Sequence, residues 1–217
     1  MGKIIEQGSF IRMDTDEALQ AGVKKALEVI ISGGVVAYPT ESFYGLAVNT
    51  SDEEAIQRLF EIKERQSDHP ILILTPSVEV LGQYVVHISE IIHRLIKQFW
   101  PGGLTLIFEA KPNISPLLTA GTGKIGVRLS SHPVATALAK AVGVPITGTS
   151  ANISGQPSCT DAKEVFHSLG KTVDLILDGG ETKGGLGSTI LDVMVDPPAI
   201  LREGIVDRKQ LKEFLRK

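Results

Sequence analysis

The sequence predicts a single α/β domain built on a mixed sheet, and three observations carry that expectation. Short apolar runs alternate with segments of helical periodicity through the first half of the chain. Later, apolar runs follow one another directly, which a purely parallel sheet does not allow. Two of the runs open straight into polar, glycine-bearing strings: residues 34–37 into YPTESFYG (38–45), and residues 144–146 into GTSANISG (148–155). Ligands of open α/β sheets collect where loops leave the carboxyl ends of strands, so two such exits suggest one site assembled from distant stretches.

In order along the chain, Asp14 with Glu17 has the spacing of a capped helix start. Leu19, Val23, Ala26, Leu27 and Ile30 then recur at helical spacing until Gly33 and Gly34 stop the helix. A strand at 35–37 runs into Pro39, which cannot continue the ladder. Ser51 with Glu54 forms a second capping box, opening a helix through Ile56, Leu59, Phe60 and Ile62 that ends in the charged string 63–65. Residues 71–74 read as a strand buried on both faces. A helix carrying Ile88, Ile91, Ile92, Leu95 and Phe99 stops at Pro101. Strands at 104–108 and 125–129 flank a loop rich in Pro, Thr and Gly, and 133–142 reads as a helix. The strand at 144–146 leads into GTSANISG, followed by a helix at 161–169 and a strand at 173–177. The loop DGGETKGGLGS precedes a strand at 189–193, Ile200 and Leu201 enter LREG, and Asp207 with Gln210 caps a last amphipathic helix. No repeat or linker interrupts the chain, so residues 1–217 are expected to form one domain, with a core at about 19–205 and a terminal helix at 207–217.

Composition narrows the function classes. A hydrophobic content of 42% over 217 residues supports a real core and excludes intrinsic disorder. A net charge of −3 argues against a general nucleic-acid binder but leaves room for a local basic pocket. The single cysteine, Cys159, excludes an intramolecular disulfide and a cysteine-cluster metal site, and the five histidines lack metal-binding spacing. The start MGKIIEQGSF has no apolar signal core and places Glu6 where a myristoylation signal needs Ser or Thr. No apolar stretch approaches a membrane span. The expectation is a soluble, cytoplasmic protein without a membrane partner.

The candidate chemistry is anionic recognition. GTSANISG is either a turn or a ligand loop; it lacks the P-loop lysine, and GGLGS at 184–188 does not fit GxGxxG. Lys63 and Arg65 close a helix, where cations are favoured by the macrodipole, or else converge on phosphates, with Arg able to bind bidentately. Lys124 and Arg128 sit at even spacing on one face of a strand, which suits an anion pocket better than a core. Arg202 follows another apolar run. His69 and His132 each precede proline and read as structural, Cys159 has no base nearby in sequence, and no GxSxG elbow marks a hydrolase.

YPTESFYG, the KER string at 63–65, GVRLSSHP at 126–133, GTSANISG, GLGST at 185–189 and LREG at 201–204 occur in this order. The ordered set, spanning about 19–205, resembles the YrdC-type threonylcarbamoyl-adenylate synthase family, in its short form without the extra C-terminal domain of longer relatives. The resemblance implies a twisted sheet around a basic concave pocket. It also implies a nucleotidyltransferase that joins L-threonine, bicarbonate or CO2, and ATP into threonylcarbamoyl-adenylate with release of pyrophosphate. That product serves N6-threonylcarbamoyladenosine formation at position 37 of tRNA. Mg2+ would come with ATP, without protein ligands, and tRNA and a tRNA-threonylcarbamoyl transferase are implied partners.

Carried over position by position, the family's signatures put Lys63, Arg65, Ser150 and Asn152 in catalytic and phosphate-binding roles. His69, Lys124, Ser158 and Arg202 fall on ATP contacts. Thr40, Ser42, Arg128, Gly148 and Ser188 fall at the threonine subsite, with Arg128 suited to the carboxylate. Two positions depart from the pattern: Gln66 stands where the family usually has Pro, and Leu74 is aligned with a threonine-pocket His of many long relatives. The alternatives are a non-catalytic RNA-binding module of the same fold, or an enzyme that takes another amino acid or another carbamoyl donor.

Overall fold

The computed structural model describes residues 9–66 and 69–216; the N-terminal string bearing Glu6 and the last residue of the expected terminal helix lie outside the described residues. In chain order the elements are β1 (Ser9–Arg12), α1 (Asp16–Ile31), β2 (Val36–Pro39), β3 (Tyr44–Ala47), α2 (Glu53–Ile62), β4 (Ile73–Leu74) and α3 (Val78–Leu81). Next come α4 (Glu90–Phe99), β5 (Leu104–Glu109), α5 (Pro116–Thr119), β6 (Lys124–Arg128), α6 (Pro133–Val142), β7 (Ile146–Thr147) and β8 (Thr149–Ser150). The chain finishes with α7 (Ala162–Leu169), β9 (Leu175–Asp178), β10 (Thr189–Asp192), β11 (Ala199–Arg202) and α8 (Arg208–Leu215).

Two expected helix starts move by one residue. Thr15, not Asp14, caps α1, its hydroxyl accepting from the Ala18 N–H at 3.1 Å. Asp52, not Ser51, caps α2, its carboxylate accepting from the Ala55 N–H at 3.0 Å. In each case two neighbours have capping chemistry, and the cap is the one whose oxygen reaches the N–H three residues on. Asp14 is engaged with Arg12, and the Ser51 N–H donates to Asn49 Oδ1. Asp207 caps α8 as expected, accepting from Lys209 and Gln210 N–H groups. Pro133 opens α6, where its missing N–H costs nothing, and His132 Nδ1 accepts from the Val134 N–H.

The mixed architecture is present, divided into two sheets with strand orders β1-β9-β2-β3-β8 and β11-β10-β5-β6-β4-β7. Strand β3 had no separate expectation. It arises because YPTESFYG folds back on itself, so that Val36 pairs with Ala47 and Pro39 with Tyr44 in an antiparallel hairpin. Around β2, alternate side chains serve two cores. Val36 and Tyr38 pack with Ala26 and Ile30 of α1 and Leu138 of α6. Val35 and Ala37 join a larger cluster that also holds Leu106 and Val127 of the second sheet. Fully buried leucines such as Leu46 and Leu106 in this cluster each stabilise the fold by about 2–5 kcal/mol on the scale of truncation to Ala.

The chain passes from one sheet to the other at a single residue. Strand β7 pairs with β4 in the second sheet, β8 pairs with β3 in the first, and Gly148 lies between them. A Cβ at Gly148 would sit 2.4 Å from Leu72 Cδ1 and 3.1 Å from Leu74 Cγ, so a larger residue would have to push the leucine side chains aside. The Gly148 N–H donates to the Leu72 carbonyl at 2.9 Å, fixing the crossing. Both polar strand exits, the 40–43 turn and the 148–155 run, are thereby brought to one side of the seam between the sheets.

Candidate functional site

The 40–43 turn is held from within. Thr40 donates to the Phe43 carbonyl through both its N–H (3.1 Å) and its hydroxyl (2.7 Å), and the Ser42 N–H donates to Thr40 Oγ1. This directs Glu41 across to Arg128 at the end of β6, where the carboxylate forms an ion pair with Nη1. The other carboxylate oxygen accepts from the Ser130 hydroxyl at 2.6 Å. Arg128 is 4% exposed, and its buried Nε has no hydrogen-bond partner among the described residues. Burial pushes its guanidinium down to about 10, and the charge of Arg202 adds to that, opposed by Tyr38. Arg202 on β11 donates through Nε and Nη2 to the Ser188 carbonyl at 3.2 and 2.9 Å, and Ser188 in turn meets the Thr105 hydroxyl at 2.8 Å. Together with Thr40, Ser42, Gly148 and Ser158, the residues Thr105, Arg128, Ser188 and Arg202 line a cleft of about 720 Å³.

A second, smaller cleft of about 420 Å³ begins where α2 ends. The Arg65 N–H reaches the Phe60 carbonyl and the Glu64 N–H reaches Glu61, the bond pattern of a Schellman turn, with Glu64 at φ +48° where glycine is usual. The turn sends Lys63 inward. Its ammonium donates to the carbonyls of Ser150 and Asn152, the latter at 2.8 Å, and no carboxylate among the described residues pairs with it. Burial, with the charge of Arg65 adding, lowers Lys63 to about 8. An ammonium has three N–H donors, so one remains for a ligand. The Asn152 amide donates to the Ile153 and Gln156 carbonyls, leaving a buried Oδ1 acceptor without a partner among the described residues. In this geometry Asn152 cannot donate to a phosphate, contrary to the expected role; its donors brace the 150–156 turn.

Arg65 and Ser150 line both clefts, which therefore adjoin. The larger cleft gathers Thr40, Ser42, Arg128, Gly148, Ser158, Ser188 and Arg202, and the smaller one Lys63, His69 and Asn152. Lys124 is the exception. It shares a strand face with Arg128 but stands at the opposite end of β6, where its ammonium is engaged by Asp192 at 3.0 Å. Four residues of strand separate the two by about 13 Å, too far to serve one small ligand group. Leu74 is also displaced from expectation: it lies in the core beneath Gly148, while Leu72 carries that face to the cleft. Gln66 does line the smaller cleft. Glu41, Ser130 and Thr105 were not anticipated. Glu41 stands inside the polar string YPTESFYG, and its acidity in a cationic setting was the available signal. Burial raises the Cys159 thiol to about 11, so it is not a poised nucleophile. No helix among the described residues is long and apolar enough to cross a membrane.

Comparison with known proteins finds relatives over most of the chain. The family model Sua5_yciO_yrdC, described as telomere recombination, matches residues 28–204. The chain is 38% identical over 194 residues to a threonylcarbamoyl-AMP synthase of Bacillus subtilis, covering 89% of this chain and 56% of that protein. It is 34% identical over 185 residues to a threonylcarbamoyl-AMP synthase of Photobacterium profundum, covering 84% of this chain and 98% of that protein. The structure of P. abyssi Sua5 complexed with L-threonine matches with a TM-score of 0.89 at 36% identity, over 95% of this chain and 60% of that one. The chain thus spans between 49% and 57% of the length of the longer curated relatives. Its two mixed sheets, its ordered motifs and the match over residues 28–204 place it in the Sua5/YciO/YrdC family.

Proposed function

We propose that this chain makes L-threonylcarbamoyl-adenylate and pyrophosphate from L-threonine, CO2 drawn from bicarbonate, and ATP. This is a nucleotidyl transfer that feeds N6-threonylcarbamoyladenosine formation at position 37 of tRNA. The observation that carries the proposal is the junction of the two clefts. A buried arginine with an unused Nε stands on one side, cationic Lys63 and Arg65 on the other, and Arg65 with Ser150 is common to both. A relative whose structure is complexed with L-threonine supports threonine as the amino acid.

In this reading the threonine carboxylate lies on Arg128, among the hydroxyls of Ser42 and Ser188 and the backbone of Thr40 and Gly148. The deprotonated amine attacks the carbon of CO2, forming an N–C bond and a carbamate. A carbamate oxygen attacks the α-phosphorus of ATP, the bond from that phosphorus to the bridging oxygen breaks, and pyrophosphate leaves. Such transfer needs chiefly alignment and neutralisation of charge. Arg65 and the remaining N–H of Lys63 supply the charge, and Ser150 sits where the two substrates meet. His69, Ser158 and Arg202 fall to the nucleotide. Lys124 is engaged by Asp192 and lines neither cleft. Mg2+ would enter with ATP. A tRNA-threonylcarbamoyl transferase acting in the cytoplasm would consume the product.

The test is incubation of the purified protein with ATP, Mg2+, labelled bicarbonate and L-threonine, with detection of pyrophosphate and of the labelled adenylate by mass. Product that requires every substrate is the expected result. Product only with a different amino acid would reassign the larger cleft, and tight RNA binding without ATP turnover would replace the enzyme by a binding module.

A further inference from the structure

We infer that Glu41 is a positioning residue for amino-acid recognition: it holds Arg128 by Nη1 at the larger cleft and leaves the other N–H groups of the guanidinium for the ligand carboxylate. The inference rests on the reading of the larger cleft as the amino-acid site, and it adds to that reading a residue, an orientation and a reason for both. A guanidinium offers a planar fork of N–H donors and binds a carboxylate best through two parallel bonds from one edge. Glu41 takes Nη1 and leaves the buried Nε without a partner among the described residues. A buried donor left unpaired costs stability, and such atoms in native structures call for an explanation; a ligand carboxylate supplies one.

Glu41 is itself tied down twice. Its second oxygen accepts from Ser130, and its backbone sits in the turn closed by Thr40 and Phe43. Ser130 is buried and stands two residues beyond Arg128, so the holder and the held side chain are anchored to one stretch of chain. These ties distinguish a fixed brace from a carboxylate that merely occupies the ligand's place and swings away. Glu41 also offsets the repulsion between Arg128 and the neighbouring cation Arg202, which keeps the guanidinium in the cleft before a ligand arrives.

The experiment compares binding of L-threonine with binding of L-threoninamide, which lacks the carboxylate, to the wild type, Glu41→Ala and Glu41→Gln, with ATP binding and thermal stability measured alongside. The expected result is a wild type that prefers the acid, and a Glu41→Ala variant whose preference falls by about tenfold or more, the cost of misaiming one charge-assisted hydrogen bond. ATP affinity is unchanged in both variants. Glu41→Gln keeps an oxygen acceptor for Nη1 in nearly the same shape, retains the fold, and recovers a large part of the preference. Tighter threonine binding in either variant would show that Glu41 competes with the ligand and would overturn the inference. An unaltered preference for the acid, or equal losses for threonine and ATP, would overturn it as well, the latter by revealing a purely structural role. A wild type that binds another amino acid but not threonine would overturn the substrate assignment alone, and the acid-to-amide comparison then decides the role of Glu41 with that amino acid.

Discussion

Arg128 and Lys63 are both buried cations at the clefts, and the chain compensates them in opposite ways. Among the described residues Arg128 meets a carboxylate, whereas Lys63 meets carbonyl oxygens. A carboxylate cancels a full charge, so the Arg128 side is close to neutral and recognises by geometry. Carbonyl dipoles satisfy hydrogen bonds without cancelling charge, so the Lys63 side keeps a net positive field, at the expense of a weaker hold on its proton. One basic residue is thereby prepared for a zwitterion, the other for a polyanion. Burial lowers both, Lys63 to about 8 and Arg128 to about 10, so of the two only Lys63 changes charge near neutral pH.

The largest expected effect comes from breaking the neutral pair. Arg128→Ala leaves Glu41 buried without its cation and lowers stability by about 3 kcal/mol or more, which chemical denaturation reads directly. Combining Arg128→Met with Glu41→Gln restores most of that loss while threonine binding stays absent, separating the pair's structural part from its recognition part. Next in size, Lys63→Ala and Arg65→Ala each reduce adenylate formation by tenfold or more, about 1.4 kcal/mol or beyond; full activity in both would remove the charge argument.

A smaller effect sharpens the contrast in pH. Lys63 is charged below about 8 and neutral above it, so ATP affinity weakens as pH rises through that value, and the dependence vanishes in Lys63→Gln. Threonine affinity, resting on Arg128, stays level over the same interval once titration of the amine is allowed for. Isothermal titration across pH 7 to 9 would display both curves. The smallest effect is at the turn that delivers Lys63: Glu64→Gly relieves a left-handed residue and raises stability by up to about 1 kcal/mol, partly offset by the greater freedom of unfolded glycine.

The sequence made some of this visible because its signals were local. Helix α6 was legible at both ends, since Pro133 and Gly143 are strong boundary residues. The polar exits were legible because polar strings after apolar strands have no packing use. What was hidden depends on depth and partnership. Even spacing places Lys124 and Arg128 on one face but cannot say that one reaches the cleft and the other meets Asp192. Leu72 and Leu74 pose the same problem on one strand, and only the crossing at Gly148 decides which of them lies in the core. Glu41 was read as part of a motif and not as a partner, because an ion pair 87 residues apart in sequence leaves no local trace. The cap shifts from Asp14 to Thr15 and from Ser51 to Asp52 show the same limit at the smallest scale: adjacent residues with equal chemistry are separated only by backbone direction.

The crossing at Gly148 also bears on how the protein avoids its own kind. Strands β7 and β8 are the terminal members of their sheets, and the outer edge of β7 is covered by the segment after β3, where the Thr147 N–H donates to the Val48 carbonyl and Ile146 bridges to Asn49. Exposed strand borders invite other chains to add on and begin fibrous aggregation. Here the border at β7 is covered by residues 48–50, while the borders at β1 and β11 carry Arg12 and Arg202. A substitution at Gly148 therefore threatens more than a ligand pocket: by shifting β7 it would loosen the cover of an adhesive border.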